Sequence, residues 1–293
     1  MLELDGLTRR FGDFVAVDDV SFTVPEGHMI GFVGGNGAGK TTTMRMAMGL
    51  LAPTAGEVRW AGREMTRTDR RRTGYMPEER GLYPKQGVLD QLVYLARLKG
   101  QPENEARLQA TGLLERFALA DRGKDKLEKL SLGNQQRVQI AAAVMGQPQL
   151  LILDEPFSGL DPVAVEAMAD LLREHTAQGI PVLFSSHQLD LIDRLCDGLV
   201  ILNRGRVVAN GSRDELRSTG RALQQVRLDH DAGWLRGTPG VYVADVDGTS
   251  AVIELLDDGA RRLIVEEAMR RGNLLELKEI RPSLSEIYRE VTA

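Results

Sequence analysis

Gly34-Gly35-Asn36-Gly37-Ala38-Gly39-Lys40-Thr41, with Thr42 behind it, is the stretch on which the fold turns. It has the G-x-x-x-x-G-K-T spacing of a phosphate loop and follows the apolar run 29–33. It opens a helical pattern in which Met44, Ala47, Met48 and Leu51 recur at i, i+3, i+4 and i+7. The chemistry asks for these residue types. Glycines let backbone N–H groups turn inward around a pyrophosphate, and the helix dipole points at the same place. Lys40 supplies a point charge and Thr41 a hydroxyl for magnesium, while Asn36, Ala38 and Thr42 complete the candidate contacts. A glycine-rich turn alone has no such flanks, so the pattern predicts a nucleoside triphosphate site.

Around the loop, 293 residues with 42% apolar content suffice for two domains with ample cores. A net charge of −5 argues against nucleic acid or an anionic membrane surface as main partner. The basic stretch Arg59, Arg63, Arg67, Arg70, Arg71 and Arg72 reads as a solvated face. A single cysteine, Cys196, excludes an internal disulfide, fits a reducing compartment and is expected in the core. The N-terminus lacks an apolar leader, and no run approaches the ~18 apolar residues of a membrane span. The chain is therefore expected in the cytoplasm, meeting a membrane only through a partner.

Strand-like runs at 21–24, 29–33 and 57–60 give a β-rich start. Residues 88–117 then read as helices, with Leu92, Leu95, Ala96 and Lys99 in one stretch and Leu108, Leu113, Leu114 and Phe117 in the next. This helical insertion extends to about residue 145. Strands at 149–153 and 181–185 flank a helix carrying Val165, Met168, Ala169 and Leu172 on one face, which predicts a parallel α/β sheet. A hairpin over 199–210, turned at Asn203, Arg204 and Gly205, closes the first domain. The polar stretch 218–221 sets the expected division at 1–218 and 219–293. Beyond it, strands at 222–228, 241–246, 251–256 and 274–280 and helices at 261–271 and 283–290 predict a small α+β domain of ferredoxin-like topology. The turn signal Asp247-Gly248 joins its second and third strands.

Residues 150–153 end in Asp154 and Glu155, so a buried strand delivers two carboxylates to the sheet edge where open α/β folds bind ligands. Asp154 suits the magnesium shell beside Thr41, and Glu155 suits the base for the attacking water. Ser131, Gly133 and Asn134, in SLGNQQ, open a further helix whose N-terminus is either an anion site or a plain serine cap.

The order of phosphate loop, helical insertion, SLGNQQR, LLILDEP, SGLD and a histidine after a strand resembles the ATP-binding-cassette (ABC) ATPases over residues 1 to about 215. The resemblance implies a P-loop NTPase of ABC type: mixed sheet core, antiparallel β subdomain and helical insertion, with the small domain appended. It implies ATP and Mg2+ as cofactors, Phe11 as the aromatic that stacks on adenine, and His187 as the switch histidine at the γ-phosphate. A buried core phenylalanine is the other reading of Phe11. Asp161, in SGLDP, matches the loop that crosses between subunits and is equally a helix N-cap.

The sequence departs from the family's pattern in three places. Gly35 replaces a proline of the loop, and Leu132 and Asn134 replace a glycine and a glutamine of the signature. In YMPEERGLYP, Glu78 occupies the place of the glutamine that senses magnesium and water; it either meets the metal or sits on a loop surface, and Glu79 is the alternative at one residue's slip. PEERGLYP, LSLGNQQ and the extra domain resemble the ABC-2 exporter ATPases, including the sodium-efflux subgroup. That implies a membrane permease on a separate polypeptide and a peripheral place on the inner face of the cell membrane. The permease is expected to dock near Gly81, Leu82, Tyr83 and Pro84, with ordinary packing as the other reading of Leu82 and Tyr83. It also implies a homodimer or heterodimer of ATPase subunits, with Ser131 and Gly133 of one facing the nucleotide on Lys40 of the other. Two other classes remain at this point: a soluble, non-transport ABC ATPase and a regulatory nucleotide-binding module. The first needs a second cassette or a long coiled coil, and neither is in the sequence.

Overall fold

The structure, a computed structural model, describes residues 1–79, 81–219, 223–280 and 283–292. It divides into two units, Met1–Ser212 and Arg213–Val291. In the first unit, β1 (Leu2–Phe11) and β2 (Phe14–Val24) precede β3 (Met29–Val33), which runs through the glycine loop into α1 (Lys40–Ala47). β4 (Ala55–Trp60), β5 (Arg63–Glu64), α2 (Arg67–Arg71) and β6 (Thr73–Met76) come next. The helical insertion is α3 (Val88–Leu98), α4 (Glu103–Arg116) and α5 (Leu132–Val144). β7 (Leu150–Leu153), α6 (Pro162–Ala177), β8 (Val182–Ser186), α7 (Leu189–Leu195), β9 (Gly198–Asn203) and β10 (Arg206–Ser212) complete the unit.

The main sheet has the order β10-β9-β3-β8-β7-β6, parallel except for β10. Every residue of β3, β7 and β8 is buried, which is why β3, β7 and the first three residues of β8 read as apolar runs: a parallel sheet is covered on both faces. Gly31 makes room on one face, since a Cβ there would lie 2.7 Å from Ile192 Cδ1 of α7. On the other face, a second, antiparallel sheet of order β2-β1-β4-β5 shares a core with α1 and the main sheet. Phe22 and Phe32 meet across that core with ring centroids 5.3 Å apart. The arrangement aims the chemistry: β3, β6, β7 and β8 all release their chains at one sheet edge, directly into Gly34, Pro77, Asp154 and His187.

Several details depart from the sequence pattern. β1 escapes a period-two reading because its pairing with β2 shifts register between Leu4 and Leu7 and twice more beyond, breaking the alternation. The same shifts hide the first half of β2. α1 stops at Ala47, so Met48 caps it and Leu51 lies past its end. Leu108, placed by periodicity on a buried face of α4, is 78% exposed. Of the arginine stretch, Arg59 pairs with Glu57 and Asp5, and Arg63 with Asp69, whose carboxylate also closes a capping box with Thr66 at α2.

The second unit contains α8 (Arg213–Thr219), β11 (Leu223–Leu228), β12 (Val241–Asp247), β13 (Ser250–Leu255), α9 (Asp258–Arg271), β14 (Leu274–Ile280) and α10 (Leu284–Thr292). Its sheet is fully antiparallel with order β12-β13-β11-β14. That is the ferredoxin-like order, with the first helix reduced to the 3-10 segment Gly233–Gly237. Val226, Leu228, Ile253, Ile264 and Ala268 form a separate core. Asp247 pairs with Ser250, so the hairpin turns at Gly248 and Thr249. Gly220 and Arg221, of the polar stretch that suggested the expected division, and Ala222, the expected first strand residue, lie outside the described residues.

Candidate nucleotide site

The glycine loop folds because its backbone goes where side chains do not fit. Gly39 has φ +108°, and a Cβ on it would stand 2.7 Å from the Ala16 carbonyl. The Ala38 N–H donates to Gly35 O at 3.1 Å and closes the turn. The first N–H groups of α1 then face outward with no helical acceptor. Lys40 is buried, and its ammonium donates to the carbonyls of Gly34 at 2.7 Å and Gly35 at 3.2 Å. A cavity of about 400 Å³ opens over the loop, lined by Asn36, Gly37, Ala38, Gly39, Lys40, Thr41 and Thr42 together with Glu78, Asp154 and Glu155. Gly34 and Gly35 enter only through the carbonyls that hold Lys40.

Phe11 and Phe14 form the mouth of this cavity. Phe11 is 48% exposed, so it is no core residue. The Arg9 guanidinium lies 4.5 Å from its ring centroid. Phe14, 66% exposed, had no sequence signal beyond its nearness to Phe11.

The carboxylates are set by strand ends. Asp154 is buried; its N–H donates to Met76 O at 2.8 Å, and its Oδ1 accepts from the Ser185 hydroxyl at 2.6 Å. Among the described residues, its buried Oδ2 has no hydrogen-bond partner. Glu155 takes φ +49°, a left-handed conformation, and its N–H donates to Ser185 Oγ at 2.7 Å. Its carboxylate meets His187 Nδ1 at 3.0 Å, and burial pushes it above the usual glutamate range against the pull of His187 and Lys40. Glu78 Oε2 accepts from the Thr41 hydroxyl at 3.2 Å. Glu79 instead points to Arg45 at 3.7 Å and is highly exposed, so the loop presents Glu78 to the cavity.

A second cavity, about 320 Å³, adjoins the first through Asn36, Glu78 and Glu155 and takes in His187, Leu132 and Gln136. Ser131, Gly133 and Asn134 line neither cavity. Ser131 caps α5, accepting from the Asn134 N–H at 3.4 Å. Asp161 caps α6 by accepting from the Ala164 N–H at 2.9 Å and also pairs with Arg137. The Ala164 N–H first, and then Arg137, hold Asp161 below the usual carboxylate range. Three residues that bind the site together were given no role by the sequence, although Gln136 lies inside SLGNQQR. Ser185 is the two-way clasp described above. Gln136 Nε2 donates to Glu155 O and Pro156 O, both at 3.1 Å. Gln139 Nε2 donates to Pro77 O at 2.8 Å and Glu79 O at 3.3 Å.

A cavity of about 460 Å³ separates the sheet from the helical insertion, lined among others by Tyr75, Gly81, Leu82, Leu95, Leu98, Lys99, Arg70 and Arg71. Tyr83 and Pro84 stand outside its lining. The Tyr83 N–H donates to Gln91 Oε1, and Pro84 O accepts from the Glu128 N–H. Among the described residues, no helix is long and apolar enough to cross a membrane.

A family model described as ABC transporter matches residues 17–158, and one described as ATP-binding protein DrrA1-3-like, C-terminal domain, matches 211–292. The ABC transporter ATP-binding protein YhaQ of Bacillus subtilis (strain 168) is 41% identical over 99% of this chain and 98% of its own length. The linearmycin resistance ATP-binding protein LnrL of the same organism is 28% identical over 100% of this chain and 98% of its own. A solved ATP-binding subunit of an ABC transporter superposes with TM-score 0.70 at 35% identity, covering 75% of this chain and 92% of that one. A dimeric cassette in a post-hydrolysis state bound to ADP and Pi gives TM-score 0.66 at 25% identity, over 72% of this chain and 98% of that one.

Proposed function

The chain belongs to the ATP-binding subunits of ABC transporters, and from that premise we propose which of its residues carry ATP hydrolysis and what the hydrolysis is coupled to. The observation that carries the assignment is one cavity holding Lys40, Thr41, Asp154 and Glu155, with Asp154 Oδ2 buried and unpartnered. A buried carboxyl oxygen without a hydrogen-bond partner is costly. An all-oxygen set of carboxylate and hydroxyl suits Mg2+, so the residues present fit that ion, with Thr41 and Asp154 as its holders. When bound, Mg2+ would supply charge neutralisation between phosphate oxygens.

The residues themselves do the rest. Loop N–H groups orient the phosphates, and Lys40 exchanges its two carbonyl partners for them. Glu155 accepts the proton of the attacking water at its carboxylate, which burial has made more basic. His187 holds that carboxylate in position before nucleotide arrives. Phe11 offers its free ring face to the adenine.

Ser131, Gly133 and Asn134 act on the nucleotide of a second ATPase subunit, identical or related, and Asp161 stands at the crossing between the two. Their absence from both cavities of their own chain supports this, as does the dimeric state of a solved relative. ATP then favours the closed dimer because it touches both halves, and hydrolysis removes that preference. The apolar cavity beside Leu82, Leu95 and Leu98 receives a separate membrane permease on the inner face of the membrane. Relatives named for linearmycin resistance and Nod factor export support export as the direction.

Glu155→Gln tests the centre of this reading. It is expected to cut ATP turnover by about 100-fold or more and to elute as a dimer with ATP in size-exclusion chromatography. Retained turnover, or a monomer at saturating ATP, overturns it. Lys40→Ala is expected to weaken ATP binding in a direct titration.

A further inference from the structure

We propose that Glu78 turns the metal position into a cation site that fills before the nucleotide does: Thr41, Asp154 and Glu78 bind a divalent cation in the nucleotide-free chain. The inference rests on the assignment of Thr41 and Asp154 to the cation, and adds a ligand and an order of binding. Four observations lead to it. The Thr41 hydroxyl already donates to Glu78 Oε2 at 3.2 Å, so one carboxylate oxygen and one hydroxyl are together without any phosphate. Asp154 is 1% exposed, lines the same cavity, and leaves Oδ2 without a donor after Ser185 has taken Oδ1. Glu78 is held in place, because the buried Gln139 side chain donates to the carbonyls on either side of it, Pro77 and Glu79. Finally, Lys40 is turned to the Gly34 and Gly35 carbonyls, and among the described residues no ion pair joins it to Asp154 or Glu78.

The electrostatic consequence is specific to a glutamate here. With a neutral amide at position 78, the site would present one carboxylate and would need phosphate oxygens to complete a shell. With Glu78 it presents two carboxylates and a hydroxyl, and affinity for a hard cation rises with ligand charge. The same pair repels a triphosphate that comes without metal. Cation first and nucleotide second is therefore the favoured order. Replacing Glu78 by glutamine should act in opposite directions on the two ligands, weakening the bare cation and strengthening metal-free ATP. A merely structural role for Glu78 does not produce opposite signs.

The experiment uses the full chain, stripped of nucleotide, with Mn2+ as probe and the free ion followed by electron paramagnetic resonance. One saturable Mn2+ per chain is expected, weakened by about ten-fold or more in Glu78→Gln and in Asp154→Asn. In a second arm, with EDTA present, Glu78→Gln is expected to bind ATP more tightly than wild type. No saturable Mn2+ without nucleotide, or a Glu78→Gln affinity within about two-fold of wild type, overturns the proposal. A third arm adds ATP with Mn2+. Uptake of Mn2+ only in the presence of ATP sinks this inference and leaves the ATPase assignment standing, whereas no uptake with ATP sinks both.

Discussion

Ser185 makes the two site carboxylates depend on each other. Its hydroxyl donates to Asp154 Oδ1 and accepts from the Glu155 N–H, the very residue held at φ +49°. A non-glycine residue in that region stores about 1–2 kcal/mol, which the N–H bond helps to hold. Ser185→Ala leaves a buried carboxylate oxygen and a backbone donor unmet, and is expected to cost about 1–3 kcal/mol of stability. Urea unfolding followed by circular dichroism measures this, and an unchanged midpoint contradicts the clasp. Glu155 supplies a pH prediction. Its carboxyl titrates above the ordinary glutamate range, and only the ionised form takes a proton, so turnover falls as pH drops through that raised value. The acid limb of kcat against pH should lie above the usual carboxylate range. A limb within that range counts against burial as the cause. Lys40, Thr41, Asp154 and Glu155 are legible in the sequence because each sits inside a contiguous motif tied to a strand end. The roles of Ser185, Gln136 and Gln139 are not, even with Gln136 inside SLGNQQR, since their partners lie 19 to 62 residues away and only the packing of α5 and β8 against the strand ends joins them.

Helix ends decide the behaviour of whole elements, and Lys99 shows how. It caps α3, yet its ammonium reaches across to the end of α5, donating to Met145 O at 2.9 Å and approaching Ala143 O at 3.5 Å. Satisfying those orphan carbonyls ties two helices of the insertion together. Burial lowers its pKa from 10.5 to about 8. The unfolded chain therefore holds more protons than the native one between about pH 8 and 10.5, and stability must rise with pH across that window. Below pH 8 the cost of the buried charge is fully present. The rise is expected to be about 1–3 kcal/mol, discounted for partial exposure. Denaturant midpoints at pH 7.5 and 9.5 should show it in wild type and not in Lys99→Gln; equal slopes exclude Lys99 as the source. Periodicity placed α3 and Lys99 correctly in the sequence, since Leu92 and Ala96 beside it are fully buried. It gave no hint of β1, where register shifts scramble the alternation, and it overcounted Leu108, whose apolar side chain simply faces solvent.

At the scale of the whole chain, two separate cores mean two cooperative units. Val226, Ile253 and Ile264 belong to a cluster of their own, and Phe32, Leu150 and Ile152 to another. Scanning calorimetry is expected to resolve two transitions, and ATP with Mg2+ should raise only that of the first unit, by mass action. At a hundredfold excess over its dissociation constant a ligand adds about 2.7 kcal/mol, enough to separate the two peaks. A single transition that moves as one contradicts this. The parallel sheet and its motifs made the first unit readable from sequence; in the second, the four strands and the ferredoxin-like order were legible too, and what periodicity missed was the 3-10 segment where a helix is usual and the short helix α8. Arg9 covers one face of Phe11, so an arriving purine meets bare π-surface on the other, and stacking of that kind accepts guanine as readily as adenine. The engine should then run on whichever purine triphosphate the cell keeps most plentiful, with kcat/KM for GTP within about ten-fold of that for ATP.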